Sequence, residues 1–214
     1  MASISIDTLS RDEEEILEEV MNIAFGSASA DLGEVIDIRV SLNVPEVRVA
    51  DIQTITDHFQ RFSRDNKDIK IIQQNFWGDF AGRSFLLVSG TAGNDLVCLA
   101  DEGVSDNDPA ACGEMRHNGV LLEIGNILIG ACIAKIGELL STIVTYSPPV
   151  LADRNKPFAA LVGDFCDAAR QTIIIKTTFS FDDRSTNGLL LTVARPESIT
   201  WMKAALAAFM EDYE

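Results

Sequence analysis

The chain has 214 residues, 47% of them hydrophobic and 23% charged, with a formal net charge of −16. That length is enough to bury a core in one compact domain or two small ones, and the composition is globular rather than disordered. So acidic a surface repels nucleic-acid phosphates and anionic lipid headgroups, which argues against nucleic acid and membrane surfaces as partners.

The four cysteines, Cys98, Cys112, Cys132 and Cys166, make no C-x-x-C pair. Neither His58 nor His117 sits at ligand spacing from a cysteine, so no metal site of the chain's own is expected. No basic segment followed by an apolar run marks a secretory signal, and no charge-free apolar run reaches the length of a membrane span. The cysteines therefore read as reduced core residues of a cytoplasmic protein.

In chain order, Ser10-Arg11-Asp12-Glu13 is an S-x-x-E capping box, and acidic residues fill the first helical turn where the helix dipole favours them. Ile16, Val20, Ile23 and Ala24 supply an apolar face, and Gly33 reads as the stop of a helix ending near Leu32. Alternation from Val35 to Val44 predicts a strand that Pro45 ends. Residues 56–68 are polar, a loop or an exposed helix. Strands are predicted over Ile69–Phe76 and Ser84–Val88, joined by a turn through Gly78, Asp79 and Gly82. A short helix is predicted over 94–100 and a linker over 101–110. A second long helix then covers about 114–140, followed by a strand stopped at Pro148-Pro149. Strands at about 171–182 and 188–194 meet at an Asp182-Asp183-Arg184 turn, and an amphipathic helix closes the pattern at 197–209. Phe76, Trp77, Phe80 and Phe85 read as core and turn aromatics, and Trp201 and Phe209 as packing residues of the last helix.

The second half repeats the first. Shifting Glu15–Glu46 by 104 positions needs no gap and aligns nine identities besides Leu17 with Leu121. These are Glu19 with Glu123, Asn22 with Asn126, Ile23 with Ile127, Gly26 with Gly130, Ala30 with Ala134, Gly33 with Gly137, Glu34 with Glu138, Val40 with Val144, and Pro45 with Pro149. The expected architecture is a single α+β domain spanning 1–214, with repeats at about 11–104 and 114–210. It should be internally duplicated and pseudo-twofold, with an antiparallel sheet flanked by long motif-bearing helices.

Within each helix a polar stripe runs beside the apolar face. Glu15, Glu19, Asn22 and Gly26 form it in the first repeat, and Gly119, Glu123, Asn126 and Gly130 in the second. A Glu and an Asn on one helix are an ordinary solvated face. Asn is a poor helix former, however, and it recurs here in register with Glu and with a proline 23 residues on.

The pattern Glu-x2-Asn-x22-Pro, present as Glu19/Asn22/Pro45 and Glu123/Asn126/Pro149, resembles the signature of the CheC/CheX/FliY family of chemotaxis phosphatases. The flanks Asn22-Ile23-x2-Gly26-x-Ala28-x3-Leu32 and Glu123-Ile124-Gly125-Asn126-Ile127 are similar too, and the resemblance covers about residues 11–210. Two motif copies without a further motor domain look most like the CheC branch.

The resemblance implies a response-regulator phosphatase that hydrolyses the aspartyl-phosphate of a CheY-like receiver. Asn22 and Asn126 would orient the attacking water, since an amide donates and accepts at once. Glu19 and Glu123 would engage the receiver's lysine. The Mg2+ needed would be held by the receiver, and no cofactor of the chain's own is implied. Glu15, Pro45 and Pro149 would support the motif. In the family, Asp or Ser stands four residues before the Glu. Here Glu15 and Gly119 stand there, which implies unequal sites with the first the stronger. The alternative is a non-catalytic adaptor that binds a phosphorylated receiver or the CheD deamidase.

Overall fold

The computed structural model describes residues 8–36, 39–66, 68–90, 114–153, 156–163, 171–181 and 188–211. The expected helix at 94–100, the linker at 101–110, the turn at 182–184 and Cys98, Cys112 and Cys166 lie outside them.

Helix α1 (Arg11–Ile36) starts on the capping box. The Ser10 N–H donates to Glu13 Oε2 at 2.6 Å and the Glu13 N–H donates to Ser10 Oγ at 3.2 Å, satisfying two otherwise orphaned donors. Short strands β1 (Val40–Leu42) and β2 (Glu46–Ala50) follow. Helix α2 (Ile52–Asp65) is N-capped by Asp51, which accepts from the Thr54 N–H at 3.0 Å. The hairpin β3 (Lys70–Trp77) and β4 (Gly82–Val88) completes the first half. The second half gives α3 (Glu114–Leu139), β5 (Thr145–Tyr146), β6 (Val150–Leu151) and the short α4 (Phe158–Val162). It ends with the hairpin β7 (Thr172–Phe181) and β8 (Gly188–Ala194), then α5 (Ser198–Glu211).

All eight strands join one antiparallel sheet with the order β1-β7-β8-β4-β3-β5. Strand β2 also pairs with β7, and β6 with β3. The order is unchanged when the repeats are exchanged, because each repeat's short strands pair with the other repeat's hairpin. The register is preserved as well. The Asn43 N–H donates to Thr178 O at 2.9 Å, and its image, the Ser147 N–H, donates to Asn75 O at 3.0 Å. Along the central pair, β4 maps onto β8, and Phe85 faces its own image Leu191. The fold is thus α+β and pseudo-twofold.

Alternation divides the sheet residues between two cores. Ile72, Phe76, Leu86, Ile173, Ile175, Phe179 and Leu190 face α1, α3 and α5. Ile71, Phe85, Leu87, Ile174, Leu189 and Leu191 face the other way, against α2 and α4. There Phe59 of α2 stacks on Phe158 of α4 with ring centroids 4.4 Å apart. The motif helices share one face of the sheet. Their buried stripes are images of each other: Leu17/Leu121, Val20/Ile124, Ala24/Leu128, Phe25/Ile129 and Ala28/Cys132. Where Met21 stands in α1, Gly125 stands in α3, and a Cβ there would meet the Ile72 side chain at 2.8 Å, so α3 lies tight on β3.

Several details differ from the sequence reading. Helix α1 runs through Gly33 to Ile36, so the expected strand from Val35 shrinks to β1. The repeat explains the glycine. At its image Gly137 the chain turns back over the helix end, the Thr142 N–H donates to Gly137 O at 2.8 Å, and a Cβ would crowd Thr142 O. Gly137 thus permits a close approach, and at Gly33 the helix continues for three more residues. Ile23 is 39% exposed, because the buried stripe is centred on Leu17, Met21 and Phe25 instead. Trp77 is exposed, whereas Phe76, Phe80 and Phe85 are buried as expected, and Trp201 and Phe209 pack against the core. The polar segment 56–68 is mostly the amphipathic α2, whose Ile55, Phe59 and Phe62 recur at helical spacing. Residues 116–139 of α3 are long and apolar enough to cross a membrane by length and composition, but this helix packs on α1 and the sheet.

Each proline interrupts an edge strand. Pro45 separates β1 from β2, and Pro149 separates β5 from β6. Proline cannot donate to the ladder, so it is tolerated at such an edge and breaks the pairing there.

Candidate functional site

The buried stripe fixes the outward stripe. With Leu17, Val20, Met21 and Ala24 inside, Glu19 and Asn22 of α1 point to solvent, and so do Glu123 and Asn126 of α3. All four are exposed although their helices bury the opposite face. An open groove of about 550 Å³, lined by Gly26, Ser29, Ala30, Gly33, Arg39, Val40 and Ser41, continues the first stripe toward the end of α1. A Cβ at Gly26, Gly119 or Gly130 would meet nothing within 4 Å, so none of the described residues makes the close approach those glycines allow.

The two carboxamides have different surroundings. Among the described residues, Asn22 makes no side-chain hydrogen bond, so both its oxygen and its amino group face water. Asn126 Oδ1 accepts a 2.8 Å hydrogen bond from Gln74 Nε2. Gln74 lies on β3, 2% exposed, on the face that also carries Ile72 and Phe76. The same Nε2 donates to Ser147 O at 2.9 Å, two residues before Pro149. Gln74 thereby joins the asparagine of the second motif to the edge segment that carries its proline. In the first repeat the image of Gln74 is Thr177, whose shorter Oγ1 donates at 2.6 Å to Asn43 O, two residues before Pro45. The contact to the proline segment exists in both repeats, and the contact to the asparagine in the second. Sequence reasoning missed Gln74. The available signal was a glutamine at an inward position between Ile72 and Phe76, where a polar group must find partners.

The supporting residues are placed as follows. Glu15 is exposed and pairs at 3.0 Å with Arg11 one turn earlier, while Gly119 offers no side chain. Pro45 is buried and Pro149 half-buried. Each Glu–Asn pair stands on its own helix. Among the described residues, no group of three or more His, Cys, Asp or Glu is placed to hold a metal ion. The chemistry available at each motif is a carboxylate and a carboxamide on one exposed helix face, fit to bind a cation and to orient water.

No protein-family profile matches the chain. It is 25% identical over 144 residues to the flagellar motor switch phosphatase FliY of Bacillus subtilis, a match covering 67% of this chain and 36% of that relative's length. Among solved structures, FliY of Thermotoga maritima superposes with a TM-score of 0.68 at 17% identity, covering 94% of this chain and 99% of that one. The FliM middle domain of H. pylori gives 0.61 at 10% identity, covering 92% and 99%. The CheX–CheY–BeF3–Mg2+ complex of Borrelia burgdorferi gives 0.53 at 11% identity, covering 81% and 96%. The structures share the fold with this chain, and the sequence similarity to FliY, together with that fold, supports the CheC/CheX/FliY family.

Proposed function

We propose that this chain is a cytoplasmic phosphatase that hydrolyses the aspartyl-phosphate of a CheY-like chemotaxis receiver. The carrying observation is the exposed Glu–Asn pair repeated on two pseudo-twofold-related helices, Glu19/Asn22 and Glu123/Asn126. A solvated helix face has no reason to keep the same carboxylate and carboxamide twice at one spacing.

Hydrolysis of an acyl phosphate needs a water aligned for in-line attack and compensation of charge on the phosphoryl oxygens. In this reading Asn22 or Asn126 accepts from the water and directs its lone pair at phosphorus. The bond to the aspartyl oxygen breaks and the carboxylate leaves. The receiver supplies the Mg2+ and the lysine that neutralise the phosphoryl charge. Glu19 or Glu123 binds that lysine and fixes the docked geometry. The likeness to a CheX captured with CheY supports a receiver as partner.

A second reading is a non-catalytic adaptor that grips a phosphorylated receiver or the CheD deamidase. The likeness to the FliM middle domain favours it. Decay of phosphoryl label from a receiver, with and without the chain, separates the two. Acceleration supports catalysis, and tight binding with unchanged decay supports the adaptor.

A further inference from the structure

We propose that Gln74 is a positioning residue that pre-orders the Asn126 carboxamide, a device the first repeat lacks. Three observations carry this. First, Gln74 Nε2 is committed to two acceptors, Asn126 Oδ1 at 2.8 Å and Ser147 O at 2.9 Å. Both are oxygens, so only the amino end of Gln74 serves, which fixes the orientation of its carboxamide. Second, Gln74 Oε1 is left buried with no hydrogen-bond partner. A buried acceptor without a donor is costly, and a threonine, as at the image position Thr177, would hold the edge carbonyl without that cost. What the glutamine adds over the threonine is reach to Asn126. Third, the side chain is 2% exposed and wedged between β3 and α3, so its own rotamer is fixed by packing. A rigid donor behind an exposed acceptor turns a free rotor into a held one and lowers the entropy lost when that group must orient a water.

The bond takes one lone pair of Asn126 Oδ1. The other lone pair and both Nδ2 hydrogens stay available toward solvent. Asn126 is therefore presented in one orientation, whereas Asn22 must be ordered by the incoming partner. This makes the second site the faster of the two, the reverse of the order suggested by Glu15 and Gly119. The kinetic part of the proposal rests on the phosphatase reading above, and the conformational part does not.

The test uses the full chain. Side-chain amide relaxation in the ¹⁵N-labelled protein should give Asn126 an order parameter of about 0.8 and Asn22 one below about 0.6. Gln74→Met keeps the volume and removes both donors, so the Asn126 value should fall to that of Asn22. In an Asn22→Ala background, Gln74→Met should lower kcat toward a phosphorylated receiver about five- to tenfold and leave KM within about twofold, because the amide acts on the water rather than on docking. Equal order parameters for the two asparagines in the unmodified protein overturn the proposal, and that comparison needs no variant to fold. An unchanged kcat in the Gln74→Met variant overturns it too. If the unmodified chain lacks phosphatase activity while Asn126 alone is ordered, the phosphatase reading fails and the positioning stands.

Discussion

Asp31 and Lys135 occupy the same position in the two repeats and are bonded to each other, Lys135 Nζ to Asp31 Oδ2 at 3.1 Å. Equivalent residues in contact must lie near the axis that relates them. Phe85 and Leu191 mark the same axis in the sheet beneath. In a symmetric dimer of single repeats, a charge on the axis faces its own copy and repels it. Within one duplicated chain the two copies are free to diverge, and here they have become an ion pair. Glu138 and Asp31 both accept from the Lys135 ammonium and hold it above its usual titration range.

This geometry makes the halves interdependent. Strands β1 and β2 pair with β7 of the other half, and β5 and β6 pair with β3. Residues 1–104 alone would expose the buried stripe of α1, lose both short strands' partner and, as a dimer, set Asp31 against Asp31. We expect this fragment to show no cooperative thermal transition by circular dichroism. A stable native-like monomer would contradict the interlocked sheet.

A second prediction concerns the end of α3. Ser141 takes a left-handed conformation with φ of 52°. Its N–H donates to Glu138 O at 3.3 Å, and the Thr142 N–H to Gly137 O at 2.8 Å, the paired bonds of a Schellman motif. Glycine adopts that φ without the Cβ penalty. Ser141→Gly should therefore stabilise the fold by about 0.5–1 kcal/mol, read as a rise in denaturation midpoint at constant m-value. A fall in midpoint would show that the serine hydroxyl contributes more than the strain costs.

Much of the architecture was legible because its signals were local. Ser10 and Glu13 announce the cap of α1. The apolar runs bounded by turn residues give β3, β4, β7 and β8 almost to the residue, and the repeated Glu, Asn and Pro give the symmetry. What failed were signals with two physical meanings. Gly33 reads as a helix stop, yet its image Gly137 serves close chain return. The alternation from Val35 to Val44 also fits the last turn of a helix that already has a core to lie on. Strands β2 and β6 were invisible because a proline interrupts each edge, leaving pieces of five and two residues. At the candidate site, Glu19, Asn22, Glu123 and Asn126 stand out in the sequence by repetition. Gln74 was not, because the contact between β3 and α3 is tertiary and its counterpart Thr177 had changed.

Cys132 gives a third check. It is fully buried on α3, and burial pushes its thiol up to about 12. The thiolate is the reactive form, so at pH 8 this cysteine should resist iodoacetamide in the native protein and react on unfolding. Peptide-level mass spectrometry reads the result. Rapid native alkylation of Cys132 would contradict the packing of α3 on the sheet.

The central claim is that two exposed carboxamides, one per repeat, orient water onto a receiver's aspartyl-phosphate. The most direct measurement is decay of a phosphorylated CheY-like receiver in the presence of the unmodified chain, Asn22→Ala, Asn126→Ala and the double variant. Loss of a positioning group costs on the order of 2–4 kcal/mol of barrier at its own site, roughly thirty- to a thousandfold, but the surviving site masks most of this in each single variant. The account predicts faster decay with the unmodified chain, a partial loss in each single variant that is larger for Asn126→Ala, and return to the receiver's own rate in the double variant. Full acceleration by the double variant, correctly folded, would contradict it.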